Sequence, residues 1–305
     1  MSGFAAIGEC MIELSGASGD QWRMGFAGDT LNTTWYVRAL ADPNFAVDYV
    51  TAFGDDPFSI KQRAFLRDHG INTAHSPIIV GARPGLYAIT LTGSERSFTY
   101  WRNDSAARHL ADDPDALARS LEGRRIIYFS GITMGILSPK SRQNVLNAVS
   151  NARRQGSLIV FDANYRPRLW ENAETAKQVL SNAFHVTDIA LPTFPDENAL
   201  FGDTTPTDTA HRLSSYGVKE IVVKDGTDPA LVIADGVTTQ VPAARAEAVD
   251  TTGAGDSFNG GYIAARLANL DPVTAAARAH KVAARVVEFH GALAPMDEAR
   301  KAFAG

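Results

Sequence analysis

The sequence predicts an α/β protein: a doubly wound, mostly parallel sheet flanked by helices, carrying a smaller β element. Three observations lead there. From about residue 125 onward, short apolar runs alternate with amphipathic stretches of about 10–15 residues, which is the rhythm of βαβ units. Residues 78–101 break that rhythm with β-prone runs punctuated by glycines. The chain has 305 residues, 45% of them hydrophobic, enough for one large core with a small appendage.

In order, Phe4–Ile7 reads as a short apolar strand, followed by a polar, Gly-rich stretch at Glu13–Gly28 that suits strands or loops projecting from a main sheet. A buried strand is expected at Val47–Thr51. Asp56-Pro57 then has the form of an N-cap with proline at the first helical position, and that helix should stop at Gly70. Ile78–Val80, Leu86–Leu91 and Ser97–Tyr100, broken by Gly81, Gly85 and Gly93, read as antiparallel hairpins. Strands follow at Ile126–Phe129, Leu158–Phe161, Ile189–Leu191 and Ile221–Lys224, with helices at Pro139–Arg154, Asn172–Phe184, Asp196–Phe201 and Thr207–Tyr216. Ala230–Ile233 and Val237–Val241, split by Asp235-Gly236, form a hairpin at the sheet edge. The end is helical: Ala254–Asn269, then a helix from Asp271-Pro272 to Gly291.

Composition excludes several functions. A net charge of -5 offers no basic face for nucleic acid and no attraction to an anionic membrane. Mean hydropathy is -0.12, and no run reaches the roughly 18 apolar residues of a membrane span. Cys10 is the single cysteine, so no intrachain disulfide can form and a reducing cytoplasm is the expected compartment. The N-terminus lacks the basic and apolar regions of a signal peptide.

The segment richest in chemistry is Asp250-Thr-Thr-Gly253-Ala254-Gly255-Asp256, which opens a helix. Gly253 and Gly255 let backbone N–H groups crowd together, and a helix N-terminus adds unpaired donors, so the turn can bind an anion. Asp256 falls in the first turn, placed to accept the proton of an attacking hydroxyl. A helix N-terminus favours the charged carboxylate, so the sequence alone predicts a depressed pKa for Asp256. An isolated Gly-x-Gly-Asp is usually just a helix cap. Here Gly260-Gly261 lie inside the same helix, where each costs roughly 1 kcal/mol against alanine, which implies close packing against this helix. Asp250 and two threonines beside the turn suit a cation or phosphate. The P-loop pattern is missing, as is a Gly-x-Gly-x-x-Gly after the first strand, which disfavours a nicotinamide-dependent dehydrogenase.

Asp250–Tyr262 resembles the C-terminal signature of the PfkB, or ribokinase-like, carbohydrate kinases, and Gly25–Asn32 resembles that family's substrate-side glycine motif. Within the family, Ile7–Leu14, Gly28–Asn32, Tyr100-Trp101-Arg102 and Phe161–Trp170 look like the branch of 2-keto-3-deoxygluconate kinases. The resemblance spans the whole chain. It implies a single ribokinase-like domain over residues 1–305, with a small β-sheet lid built from segments near 13–28 and 78–102. It also implies transfer of the γ-phosphate of ATP, with Mg²⁺, to a sugar hydroxyl.

By that resemblance, Gly28, Asp29 and Asn32 contact substrate hydroxyls, and Tyr87, Tyr100, Arg102 and Arg166 hold the sugar acid. Asn164, Arg166, Lys224, Gly226, Gly253, Gly255 and His280 line the ATP site. Gly253, Ala254, Gly255 and Asp256 carry the chemistry. Arginine's planar fork suits a carboxylate independently of the resemblance. Many relatives carry Asn-x-x-Glu near the metal; this chain reads Thr193-Phe-Pro-Asp196-Glu197, so Asp196 or Glu197 supports Mg²⁺ indirectly. A monovalent cation is expected near Asp250, and a homo-oligomer through the lid. Another sugar kinase of the family, acting on fructose, ribose, a galactose-derived keto acid or a nucleoside, and a non-catalytic sugar or nucleotide sensor on the same fold, are the alternative readings.

Overall fold

The computed structural model describes residues 2–16, 21–92 and 95–305. Its large sheet contains β1 (Phe4–Ile7), β4 (Val47–Val50), β9 (Ile126–Ser130), β10 (Leu158–Asp162), β11 (Ile189–Ala190), β12 (Glu220–Val223), β13 (Ala230–Ala234) and β14 (Val237–Val241). The strand order is β14-β13-β12-β11-β10-β9-β1-β4. The pairs from β4 to β12 are parallel, while β13 and β14 run antiparallel at the edge. The expected edge hairpin is therefore present.

Strands β1, β4 and β9 are buried along their whole length, which is why they read as near-continuous apolar runs rather than alternating ones. Alternate residues feed two cores. Ala5, Ile7, Ile127, Phe129, Ile159 and Phe161 pack on one face; Phe4, Ala6, Ile126, Tyr128 and Val160 pack on the other. The strands' carboxyl ends thus share one rim of the sheet, where α/β folds bind ligands.

A separate four-stranded sheet has the order β3-β2-β7-β8, formed by β2 (Met11–Gly16), β3 (Trp22–Ala27), β7 (Leu86–Thr92) and β8 (Glu95–Trp101). The hairpin β7–β8 is antiparallel. Gly93 and residues 17–20, which fall in the expected loops of this sheet, lie outside the described residues. Ile78–Val80 departs from expectation. Its core, β6 (Ile78–Ile79), pairs in parallel with β5 (Phe53–Gly54) instead of joining the hairpins.

The predicted helix starts hold. Asp56 caps Pro57–Asp68 by accepting from the Phe58 and Ser59 N–H groups, and Asp271 caps Pro272–Val286 through Val273 and Thr274. The latter helix stops before Gly291 because the Val287 carbonyl is taken by the Val249 and Asp250 N–H groups, at 2.8 and 3.0 Å. The helix Asp29–Leu40 was not legible in the sequence. It is buried on nearly every side, with Thr30, Asn32, Thr33 and Thr34 inside, so no apolar stripe marks it. Among the described residues, no helix is long and apolar enough to cross a membrane.

The helix Ala254–Leu267 packs between Asp29–Leu40 and Pro272–Val286. A Cβ on Gly260 would stand 2.5 Å from Tyr36 Cβ and 2.8 Å from the Thr33 carbonyl oxygen; one on Gly261 would stand 3.0 Å from Ala279 Cα. The paired glycines therefore set both helix–helix distances. Gly260→Ala should lower stability by about 1–3 kcal/mol through overpacking, although alanine is the better helix former by about 1 kcal/mol. Urea unfolding measures this; an unchanged or higher midpoint would contradict it.

Candidate active site

The helix Ala254–Leu267 begins where Gly253 adopts φ 77°, a conformation that favours glycine. A Cβ there would also lie 2.9 Å from Ala292 Cα. The turn is thus held against the chain that follows Pro272–Val286. The Ala254 N–H donates to the Thr251 carbonyl at 3.2 Å. That removes Ala254 from the expected anion cradle and leaves the Gly253 and Gly255 amides, which have no partner among the described residues. Asp250 stitches the same turn. Its Oδ1 accepts from the Thr252 N–H at 2.9 Å and its Oδ2 from the Gly291 N–H at 2.6 Å.

Asp256 is held from the helix Asp29–Leu40. Asn32 Nδ2 donates to its Oδ2 at 2.8 Å, and Thr33 Oγ1 donates to its backbone carbonyl at 3.2 Å. The predicted depression of its pKa is reversed. Burial pushes Asp256 up to about 7; the Asp29 and Asp162 charges push the same way, while Asn32 and Lys224 oppose them. A helix terminus contributes about 0.3–2 kcal/mol, and the loss of solvent around the half-buried carboxylate, reinforced by its acidic neighbours, outweighs it.

At the ends of β10 and β12 lies a second buried cluster. Lys224 Nζ donates to Asp162 Oδ2 and Asn259 Oδ1, each at 2.8 Å, and Asn259 Nδ2 donates to Asp162 Oδ2 at 2.7 Å. Asp162 and Asn259 received no role in the sequence reading. Asp162 falls within the Phe161–Trp170 resemblance and Asn259 within the Asp250–Tyr262 signature, but neither stretch by itself marks them as partners of a lysine. Asn164, at φ 35°, accepts the turn imposed when its N–H bonds Asp162 Oδ1 at 3.0 Å. Its Nδ2 then donates to Asp29 Oδ2 at 3.0 Å. Asp29 is itself raised by burial, against hydrogen bonds from Ser130, the Thr30 N–H and Asn164 and the charge of Arg102.

Both expected carboxylate-binding arginines are ion-paired. Arg166 Nη1 lies 3.1 Å from Asp196 Oδ2, and Arg102 pairs with Glu9. Burial raises the pKa of Asp196 while Arg166 opposes it. Glu197 is withdrawn from the metal role. It is 1% exposed, bonded at 2.7 Å to Arg212, and absent from the cleft lining. Asp196 lines the cleft, so the residue three positions after Thr193 is the acid available there.

The cleft has a volume of about 1090 Å³ and is lined by Asn164, Arg166, Asp196, Lys224, Gly226, Asp250–Asp256 and His280, with Phe98 reaching in from β8. His280 Nε2 is buried without a partner, and burial lowers the ring's pKa, partly offset by the Val241 carbonyl. On the small sheet, Tyr87 bonds Glu13, and the Tyr87 and Tyr100 rings lie 5.7 Å apart. Gly28 closes this half, its N–H donating to Asn32 Oδ1 at 3.3 Å. Arg102 and Tyr87 are buried, and neither they nor Gly28, Asp29, Asn32 and Tyr100 line this cleft.

A half-buried carboxylate in the first turn of a helix, beside unpaired amides and a lysine on a doubly wound sheet, is an arrangement that suits phosphoryl transfer. The chain belongs to the pfkB family of carbohydrate kinases, which it matches over residues 1–299. It is 42% identical, over 96% of its own length and 97% of the relative's, to a 2-dehydro-3-deoxygluconokinase of Escherichia coli K12. Its fold is similar to the crystal structure of a 2-dehydro-3-deoxygluconokinase from Thermotoga maritima, at TM-score 0.85 and 22% identity over 100% of this chain and 99% of that one. A fructokinase with bound ATP from Xylella fastidiosa also matches, at TM-score 0.84 and 19% identity over 100% and 99%.

If Asp256 accepts the proton, only its ionised form is active. Its pKa of about 7 then makes kcat/KM climb with pH up to about 7 and level off above, with a tenfold fall per pH unit on the acid side. A profile flat from pH 5.5 to 8 would exclude Asp256 as the titrating base.

Proposed function

We propose that this kinase transfers the γ-phosphoryl group of ATP to the C6 hydroxyl of 2-keto-3-deoxy-D-gluconate. The observation that carries the substrate is the 42% identity, over nearly the full length, to a 2-dehydro-3-deoxygluconokinase. The geometry supports the reaction type. Asp256 Oδ2 is fixed by Asn32 and takes the hydroxyl proton as the sugar oxygen bonds phosphorus and the bond to the ADP oxygen breaks. The Gly253 and Gly255 amides stabilise charge on the transferring group. Gly28, Asp29 and Asn32 hold sugar hydroxyls; Arg102, Arg166, Tyr87 and Tyr100 hold the acid end.

Asn164, Lys224, Gly226 and His280 line the nucleotide's part of the cleft, where the cluster Lys224–Asp162–Asn259 keeps the ammonium in place. The unpaired amides and Lys224 fit triphosphate oxygens, and Asp196 fits the outer sphere of Mg²⁺. Mg²⁺ bound with ATP would screen phosphate charge. Asp250 bridges two loops, and a monovalent cation beside it would stiffen the turn that carries Gly253. The small sheet, near residues 13–28 and 78–102, acts as a lid that excludes water, and the chain works as one kinase unit. A cytoplasmic location fits the single cysteine.

A homo-oligomer through the lid is the fitting assembly. Strand alternation puts Tyr87 and Ile89 on the same face of the small sheet as Phe98, which reaches the cleft, and Trp22, Met24 and Trp101 on the other, at 47%, 39% and 58% exposure. An exposed apolar patch of this kind marks an interface. Sedimentation should show an oligomer that Trp22→Lys with Trp101→Lys converts to monomer; a monomeric parent protein would refute it.

Asp256→Asn should cut kcat by about 10²–10⁴ with folding retained, and near-normal turnover would remove Asp256 as base. In a coupled ADP assay, the keto acid should outcompete fructose, ribose and nucleosides; a preferred neutral sugar would overturn the substrate. Binding without turnover would turn the protein into a sensor.

A further inference from the structure

Glu9 has no part in the site described above, yet it is 1% exposed and paired with Arg102, which is 8% exposed. The pair sits on the seam between the two sheets. Glu9 lies in the turn from β1 to β2, where the chain leaves the large sheet for the small one. Arg102 directly follows β8, where the chain leaves the small sheet again. Glycines make room for the acid. A Cβ on Gly28 would collide with the Glu9 carbonyl oxygen, and one on Gly85 would lie 2.6 Å from Glu9 Oε1.

The pair is only half used. Arg102 Nη2 donates to Glu9 Oε2, while Glu9 Oε1 and Arg102 Nε are both buried without a partner. Orphaned polar atoms are expensive in a dry interior, and apolar residues of similar size brace an interface at lower cost. Simple bracing therefore does not account for it. Arg102 also acts on Asp29, the carboxylate bonded to Asn164, so its charge is felt in the substrate half of the site.

We propose that Glu9 is a positioning residue that fixes Arg102 on this seam, with the remaining donors of the guanidinium presented to the substrate's carboxylate. Arginine has five N–H donors, so pairing with Glu9 leaves enough for a second carboxylate. Glu9 touches neither the transferred phosphoryl group nor the nucleotide. Its loss is felt at the acid end of the substrate and not in the transfer step. The inference rests on the proposed substrate.

The test is steady-state kinetics of Glu9→Gln and Glu9→Asp on the full chain, using 2-keto-3-deoxygluconate and its neutral analogue with the carboxylate reduced to an alcohol. Glu9→Gln should raise KM for the acid at least tenfold, change kcat less than threefold, and leave KM for ATP and for the neutral analogue unaltered. Glu9→Asp should recover part of the loss. Adding Glu9→Gln to Arg102→Met should cost nothing further. An acid KM within twofold of the parent, or acid and neutral KM rising together, would overturn the proposal. So would failure of both variants to fold in circular dichroism melts, which would make the pair a structural brace. A parent protein with no turnover on the keto acid would instead refute the substrate reading beneath it.

Discussion

Everything at the site depends on how closely two helices approach. Gly260 lets Ala254–Leu267 lie directly on Asp29–Leu40, with no side chain between Gly260 and Tyr36. That contact brings Asn32 within 2.8 Å of a residue 224 positions away in sequence. The acid is thereby half-buried at the cleft wall, and that loss of solvent is the largest cause of its raised pKa. A wider spacing would let in solvent, restore an ordinary carboxylate and lose the fixed direction of its oxygen. Packing and proton affinity are the same fact seen at two scales.

The residues around Asp256 answer a shared electrostatic problem. The Asp29 and Asp162 charges both act on Asp256, opposed by Lys224, which is buried against Asp162. The surplus of negative charge in the cleft is held by amide side chains, Asn32, Asn164 and Asn259, each donating to a carboxylate. Neutral donors satisfy the oxygens without cancelling their charge, so the cleft keeps its acids while presenting backbone N–H groups to phosphate. At the rim, Arg166–Asp196 does the same work with a full ion pair, half exposed and therefore weaker.

Much of this was legible in the residues. Runs such as Ile126–Phe129 and Leu158–Phe161 carry a strand's signature because both faces of the sheet are covered. Asp56-Pro57 and Asp271-Pro272 mark helix starts because capping is local chemistry. The glycine pair in Ala254–Leu267 announced a close neighbour without saying which. Three things escaped. Asp29–Leu40 is buried all round, and its inward threonines erase the amphipathic pattern. The end of Pro272–Val286 is set by hydrogen bonds from Val249 and Asp250, which no local pattern encodes. The pKa of Asp256 was misjudged because the helix terminus is visible in sequence and burial is not. Glu197 was separable from Asp196 only once Arg212 was seen to claim it.

Tyr36 reaches across to the last part of the chain: its hydroxyl donates to the Ala292 carbonyl at 2.6 Å and accepts from the Ala294 N–H at 2.9 Å. The turn at Gly253 leans on that same Ala292. The helix that orients Asp256 is therefore completed only by a segment 256 residues further along the chain. A nascent chain that ends short of Ala292 holds every residue of the catalytic turn and lacks the surface that shapes it.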